Sequence, residues 1–102
     1  MTQAMAEAAG EDSAKSMTEL VLEMARALVD IPEGVSVEAF KDGDSTVLRL
    51  RVAPSDVGKV IGKQGRTARS MRTILGAASM KLKHRYALDI VEESGEGGAA
   101  NP

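Results

Sequence analysis

The sequence predicts an α+β fold in which helices cover one face of a three-stranded sheet. Two observations predict it: apolar residues recur with a helical period in two long segments and alternate with polar residues in three short ones. The predicted order along the chain is helix, strand, strand, helix, helix, strand. Elements that are apolar on one side bury that side by stacking, so this order favours a sandwich of two layers.

The first predicted helix begins at Ser16–Glu19, which has the S-x-x-E form of a capping box. Pro32 and Gly34 end the helix. Residues 1–15, before the box, are mostly small or polar, and we expect them to form a flexible N-terminal extension whose alanine-rich start could be transiently helical. The helix carries its apolar residues on one face: Leu20, Val21, Met24, Ala25, Leu28 and Val29.

Two predicted strands follow and form a hairpin. The segments "VSVEAFK" and "STVLRLRV" flank the turn Asp42-Gly43-Asp44, and an Asp-Gly pair between alternating segments is a strong hairpin signal. The last strand, "RYALDIV", alternates in the same way. The residues expected on the buried face of the second and third strands are Thr46, Leu48, Leu50, Val52, Tyr86, Leu88 and Ile90.

Two helices are predicted between the hairpin and the last strand. Asp56 to Ile61 leaves room for a short helix that Gly62 closes, and a longer helix begins at Arg66. Gly76 inside the longer helix costs about 1 kcal/mol relative to alanine, and either close packing against another helix, including one of a second chain, or a kink would explain it. The residues expected to face inward are Ala68, Met71, Leu75, Ala78 and Leu82.

Length and composition restrict the class of protein. A chain of 102 residues predicts one small domain, residues 16–93, followed by a disordered glycine-rich tail, residues 94–102. A domain of this size buries only roughly 60% of its unfolded surface, so dimerisation would add stability. The absence of cysteine excludes disulfides, thiolate metal sites and cysteine nucleophiles. No secretory leader and no apolar run near the roughly 20 residues of a membrane span are found, which makes the cytoplasm the expected location.

The charge of the chain is divided along the sequence. Residues 1–56 hold five Lys or Arg and eleven Asp or Glu, whereas residues 57–88 hold eight basic residues and no acidic one. A basic face can attract polyanions locally even though the whole chain has a net charge of −2. The acidic remainder is expected to weaken indiscriminate binding.

The basic segment contains a loop with a glycine at each end, Gly62-Lys63-Gln64-Gly65. It is not a Walker loop, because Gly58 and Gly62 are one residue too close and Gln64 replaces the hydroxyl that binds magnesium. It is not a dinucleotide-binding loop either, because the first G-x-G pair is absent. The sequence therefore predicts no nucleotide cofactor at this loop.

The loop nevertheless predicts an anion-binding site. Glycines allow another backbone to approach closely, and the unpaired N–H groups at the start of the following helix favour negative charge. Several cations surround the loop: Lys59, Lys63, Arg66, Arg69 and Arg72. Val57, Val60 and Ile61 are expected to form an apolar floor beside them. A groove with one charged and one apolar wall suits a short single strand, with phosphates on one side and bases on the other.

The stretch "VIGKQGRTARSMRTIL" resembles the signature of a K-homology (KH) domain, in which a G-x-x-G loop clamps the backbone of about four nucleotides. The element order is that of the type II KH fold of bacterial proteins. The resemblance covers roughly residues 17–92 and is greatest to the small single-KH RNA-binding proteins of bacteria, the KhpA-like family.

The resemblance implies a role for each residue of this segment. Gly62, Lys63, Gln64 and Gly65 become the clamp, and Val57, Val60 and Ile61 help form the groove under the bases, with a place mainly in the core as the alternative for Ile61. It also implies homodimers, association with a larger KH-containing partner, and action as an RNA chaperone or post-transcriptional regulator linked to cell-envelope growth. Phosphate contacts are expected from Lys59, Lys63, Arg66 and Arg69.

Competing interpretations are less favoured. The protein is predicted to be non-catalytic and without cofactor or metal, because His84 has no evident partner and is expected on the surface or in a turn. Lys81, Lys83 and Arg85 are expected to be solvated or helix-end charges. Only Phe40 and Tyr86 are aromatic, which argues against a stacking platform on the sheet. The alternative function is a protein-interaction subunit whose KH fold mainly dimerises or recruits a partner through the helix at 66–82.

Overall fold

The computed structural model describes the backbone of residues 2–92 and the side chains of residues 13–92. The predicted order of elements is confirmed. The predicted tail, residues 94–102, lies outside the described residues. The helices and strands are α1 (Thr2–Leu28), β1 (Ser36–Asp42), β2 (Ser45–Arg51), α2 (Val57–Ile61), α3 (Arg66–Leu82) and β3 (Arg85–Ile90), with short 3₁₀ turns at Pro32–Gly34, Pro54–Asp56 and Lys63–Gly65.

The predicted start of the first helix at Ser16 is wrong, because α1 already begins at Thr2. Ser16 lies inside the helix, and nearby Thr18 donates a hydrogen bond from Oγ1 to the carbonyl of Ala14, one turn earlier, at 2.9 Å. The segment before Ser16 is rich in alanine, which has the highest helix propensity, so the helix continues through the capping-box pattern. The predicted flexibility of residues 1–15 stays a prediction.

The three strands form one mixed sheet in the order β1-β2-β3. β1 and β2 are antiparallel and joined by a two-residue turn, Gly43-Asp44, in which Gly43 has φ +65°. β2 and β3 are parallel, so α2 and α3 make the crossover between them. The predicted alternation of buried residues is confirmed in β2, at Thr46, Leu48 and Leu50, and in β3, at Tyr86, Leu88 and Ile90.

The helices cover one face of the sheet and enclose the core. Val21 and Ala25 of α1, together with Ala68, Met71 and Leu75 of α3, pack against the buried residues of β2 and β3. Ala78 and Leu82, expected to face inward, are half-buried. No helix among the described residues is long and apolar enough to cross a membrane.

Asp56 joins the end of α1 to the beginning of α2. Its buried carboxylate accepts hydrogen bonds from the backbone N–H groups of Asp30, at 3.1 Å, and Ile31, at 2.9 Å. Burial by itself would raise the pKa of Asp56, but the two backbone hydrogen bonds and the nearby Lys59 ammonium outweigh it, so the pKa lies below its usual range. The charged carboxylate therefore fixes the segment that leads into the glycine-bounded loop.

Candidate nucleic-acid interface

The loop at 62–65 connects α2 to α3 by a sharp reversal of the backbone. Gly62 has φ +79° and ψ 170°, Gln64 has φ +57°, and Gly65 has φ +74°. Two backbone hydrogen bonds hold the reversal. The N–H of Gly62 donates to the carbonyl of Gly58 in α2 at 2.8 Å, and the N–H of Gly65 donates to the carbonyl of Gly62 at 3.0 Å. Three left-handed residues within four positions explain why the loop contains two glycines.

The two glycines of the loop meet different surroundings. A Cβ atom on Gly62 would overlap the side chain of Thr67 and lie 2.8 Å from its backbone nitrogen. A Cβ atom on Gly65 would meet no atom of the described part of the chain within 4 Å. Packing within the domain therefore requires glycine at 62, whereas glycine at 65 keeps space open on the outside of the loop.

The beginning of α3 leaves backbone N–H groups free to bind a ligand. The N–H groups of Gly65 and Arg66 are used inside the loop, on the carbonyls of Gly62 and Lys63. Within the part of the chain whose side chains are described, none caps this helix at Gly65. Because the first N–H groups of a helix have no partner within that helix, the beginning of α3 and its dipole favour an anion here.

Four of the five predicted cations divide into two groups. Lys63, Arg66 and Arg69 are exposed and form no ion pair with any described residue. Lys59, in contrast, lies 3.3 Å from a carboxylate oxygen of Asp30 and 3.7 Å from one of Asp56. The structure therefore leaves three free cations at the loop, while the charge of Lys59 is partly balanced.

Arg72, the remaining cation of the segment, turns away from the loop toward the sheet. Its Nε donates a hydrogen bond to the backbone carbonyl of Leu88 in β3 at 3.3 Å. β3 is an edge strand, so this bond occupies one of the outward backbone groups of that edge. Arg72 thereby connects α3 to β3.

The predicted apolar floor is wrong for one of its three residues. Val60 is 0% exposed and belongs to the core, so it cannot contact a base directly. Val57 is 8% exposed, and Ile61 is half-buried with part of its side chain at the surface. α2 has five residues, and the side that it buries against the rest of the domain is the side of Val60. Ile61 is therefore the most exposed of the three predicted residues.

Thr67 and Asp56 support the site but were not among the predicted residues. Thr67 packs against the backbone of Gly62, and Asp56 holds the start of α2 to the end of α1. No local pattern in the sequence singles out either residue, since both contacts depend on the folded chain. Among residues 13–92, no group of three or more His, Cys, Asp or Glu side chains could hold a metal ion.

Comparison with known proteins places this loop inside a recognised domain. A family model described as the KH domain of KhpA/KhpB matches residues 18–90, which include both glycines and all three free cations. The match begins within α1 and ends with β3, so it spans the core of the domain.

The chain is also similar to bacterial proteins named "RNA-binding protein KhpA". It is 48% identical over 75 residues to the one from Caldanaerobacter subterraneus subsp. tengcongensis, a match covering 74% of this chain and 100% of the relative. It is 50% identical over 76 residues to the one from Halalkalibacterium halodurans, with the same coverage of 74% and 100%. It is 50% identical over 74 residues to the one from Treponema pallidum, covering 72% and 92%.

Proposed function

This chain belongs to the KhpA/KhpB family of KH domains, and from this premise we propose that it is a non-catalytic protein that binds single-stranded RNA at the loop Gly62–Gly65. One observation carries the proposal. Lys63, Arg66 and Arg69 are exposed without an ion-pair partner among the described residues, beside a helix start that no described side chain caps. Three such cations around free N–H groups favour the phosphates of a nucleic-acid backbone.

The proposed contacts follow from the shape of the loop. A phosphate lies against the N–H groups at the start of α3, since glycine at 65 leaves open space there. Lys63, Arg66 and Arg69 neutralise neighbouring phosphates, while Lys59 contributes less because Asp30 and Asp56 already balance it. Ile61 and the exposed part of Val57 meet the first bases. With aliphatic contacts in place of stacked aromatic rings, we expect modest affinity and low sequence discrimination.

Salt dependence tests the number of phosphates. If about three phosphates are neutralised, the logarithm of the affinity falls with the logarithm of the salt concentration at a slope near −2, at roughly −0.7 per contact on a single strand. Fluorescence anisotropy with a labelled oligonucleotide across a salt series measures this slope. A slope near zero would exclude phosphate neutralisation as the basis of binding.

A double substitution tests the position of the site. In Lys63→Asp with Gln64→Asp, aspartate tolerates the left-handed backbone at 64 and suits the start of a helix, so the domain is expected to fold. RNA affinity is expected to fall at least about tenfold, because two negative groups replace one cation at the phosphate. Lys15→Asp with Ser16→Asp, two exposed residues of α1, is the matched control with the same change in charge. Equal binding by the folded loop variant and this control would refute the assignment.

A homodimer through α3 is the second part of the proposal. Ile74 is 46% exposed and Met80 81% exposed on this helix, although both are large and apolar. A Cβ atom on Gly76 would meet no described atom within 4 Å, so packing within the chain does not require glycine there. Met80 lies one turn after Gly76 on the same face of α3, so close contact with α3 of a second copy would use this exposed methionine and the glycine. The same surface favours the alternative function, an interaction subunit that recruits a larger KH-containing partner.

Gly76→Ala tests the dimer. Alanine at this position is expected to favour the helix by about 1 kcal/mol, yet it would separate two helices that pack closely. We therefore expect a weaker dimer by sedimentation equilibrium, with the helix content by circular dichroism kept. Ala77→Ser, at the next exposed position, is the control for a small change on this helix. A dimer unaffected by Gly76→Ala would place the contact elsewhere.

The loop and dimer variants together separate the two functions. If the loop variant loses RNA binding but still forms the dimer or binds a larger KH partner, the two functions use different faces. A role as an RNA chaperone or post-transcriptional regulator in cell-envelope growth belongs to the same proposal. It predicts that the loop variant fails to replace the normal protein in cells although it accumulates to the same level.

A further inference from the structure

A second concave site lies at the opposite end of α3 from the loop. It is a pocket of about 300 Å³ between α1, the hairpin and the turn that leads into β3. Because α3 has 17 residues, the pocket is separated from the loop by roughly 25 Å of helix. Its wall includes Lys41, Thr46, Lys83, His84 and Tyr86.

The wall of the pocket contains an ordered polar pair and a buried hydroxyl. Thr46 Oγ1 and His84 Nε2 are 2.7 Å apart, and the rings of His84 and Tyr86 lie 4.8 Å apart between centroids. Tyr86 is 5% exposed, and its hydroxyl forms no hydrogen bond with any described residue. A buried hydroxyl normally finds a partner, so an unpaired one in the wall of a cavity indicates a ligand that would supply it.

The charge at the pocket is positive. Lys41 and Lys83 line it, and neither forms an ion pair with a described residue. Among the described residues that line this pocket there is no Asp or Glu, and Asp44 lines the neighbouring hollow with Arg85. Lys83 ends α3 and has a left-handed backbone conformation, at φ +57°. Two lysines, hydroxyl groups and an imidazole are donors suited to a phosphate group.

We propose that this pocket binds the terminal phosphate of a nucleotide, with Lys41 and Lys83 at the phosphate and the His84–Tyr86 ring pair beside the sugar or base. The volume is that of a small-ligand site, and the wall combines two lysines with the imidazole of His84, whose ring is tilted by 49° against that of buried Tyr86. The phosphate group comes from a free mononucleotide or from the phosphorylated end of an RNA strand. The site is separate from the loop, and its occupation does not depend on the RNA contacts proposed above.

Titration with AMP tests the proposal, followed through the backbone amide signals of the ¹⁵N-labelled full chain by NMR. We expect signals of residues 41, 46, 83, 84 and 86 to shift with AMP and to shift far less with adenosine, which lacks the phosphate. Lys41→Gln with Lys83→Asn is expected to weaken AMP binding about tenfold, since asparagine keeps the left-handed backbone while both cations are lost. Lys15→Gln with Lys81→Gln, two exposed lysines outside the pocket, is the matched control.

Tyr86→Phe keeps the ring and removes the hydroxyl, so it is expected to weaken AMP binding about threefold without loss of folding. In the loop variant Lys63→Asp with Gln64→Asp, a 5′-phosphorylated trinucleotide that shifts the same amides at lower concentration than AMP identifies the strand end as the natural source. Shifts at lower AMP concentration identify the free nucleotide. The loop variant Lys63→Asp with Gln64→Asp keeps AMP binding, so failure of the loop assignment is distinguishable from failure here. Absence of shifts at these amides, equal binding of adenosine, or equal losses in the lysine variant and its control would overturn the proposal.

Discussion

The two ends of α3 both carry cations and both contain a left-handed residue that is not glycine, yet they differ in what their backbone does. At the beginning, Gln64 and two glycines form a loop after which no described side chain caps the helix. At the end, Lys83 ends the helix and its N–H bonds the carbonyl of Ser79. The side-chain hydroxyl of Ser79 donates a hydrogen bond to the carbonyl of Leu75 at 2.8 Å and accepts one from the N–H of Tyr86 at 2.9 Å.

This difference indicates how one helix serves two purposes. At its C-terminal end, the carbonyl of Ser79 accepts the N–H of Lys83 and the hydroxyl of Ser79 accepts the N–H of Tyr86, which fixes α3 to β3. Its N-terminal end is fixed on the side that faces the domain, where Thr67 packs against Gly62 and Asp56 holds the start of α2. On the outer side, no described side chain caps the helix. The proposed binding of a phosphate requires this end to be fixed in position and still open to a ligand. Gly62, packed against Thr67, serves the first requirement, and Gly65, with open space around it, serves the second.

The largest effect on stability is expected from Gly62→Ala, which changes the side of the loop that packs against Thr67. The added Cβ atom overlaps Thr67, and the backbone at φ +79° and ψ 170° suits glycine almost alone. We expect a loss of on the order of 2–4 kcal/mol in the free energy of unfolding, measured by urea denaturation, together with loss of RNA binding. Gly58→Ala, inside α2 with open space around its Cβ position, is the control and is expected to fold normally. Equal stability of the two variants would contradict this account.

Asp56→Asn tests the connection between α1 and α2. Because the pKa of Asp56 in the folded protein lies below its ordinary value of 3.8, its charge stabilises the fold above that pH, and the stabilisation is lost as the pH falls through the folded pKa. We expect a smaller loss at pH 7 than for Gly62→Ala, since asparagine keeps one acceptor oxygen. Thermal unfolding between pH 7 and pH 2 checks the sign: the difference between wild type and variant should shrink on acidification. Asp42→Asn, an exposed carboxylate, is the control, and a difference that stays constant with pH would refute the role of the charge.

Ser79→Ala removes a side-chain hydroxyl near the C-terminal end of α3. It removes the acceptor for the N–H of Tyr86, which is expected to cost about 1–2 kcal/mol in the free energy of unfolding, partly offset by the better helix propensity of alanine. RNA affinity is expected to stay unchanged, because the loop lies at the other end of the helix. Ser70→Ala, exposed and without a described side-chain hydrogen bond on the same helix, is the control. Equal unfolding free energies, or weaker RNA binding by Ser79→Ala, would contradict the separation of the two ends.

The fold was predictable from the sequence wherever a periodic pattern was long enough. Alternation over β2 and β3 identified Thr46, Leu48 and Tyr86 as buried, and the Asp-Gly pair located the hairpin. The beginning of α1 was not predictable from its capping box, since a local capping pattern does not end a helix that alanine-rich sequence continues.

The sequence predicts the loop of the candidate site better than it predicts the apolar and charged residues beside the loop. The glycines and cations of 62–69 form a local pattern that survives folding. α2, however, has fewer than two turns, so its apolar residues show no period that would separate buried Val60 from half-exposed Ile61. The ion pair of Lys59 with Asp30 joins residues far apart in sequence, and no local pattern indicates it.

Gly65→Asn is expected to have the smallest effect on the fold and tests the open side of the loop. Asparagine tolerates the left-handed backbone at φ +74°, and a Cβ atom there meets no described atom within 4 Å, so stability is expected to change by less than about 1 kcal/mol. RNA affinity is expected to fall about three- to tenfold, because the side chain occupies the space through which the RNA backbone approaches. Gly43→Asn, at φ +65° in the hairpin and equally open, is the control for the backbone change. Unchanged RNA affinity in Gly65→Asn would show that the RNA does not approach this glycine.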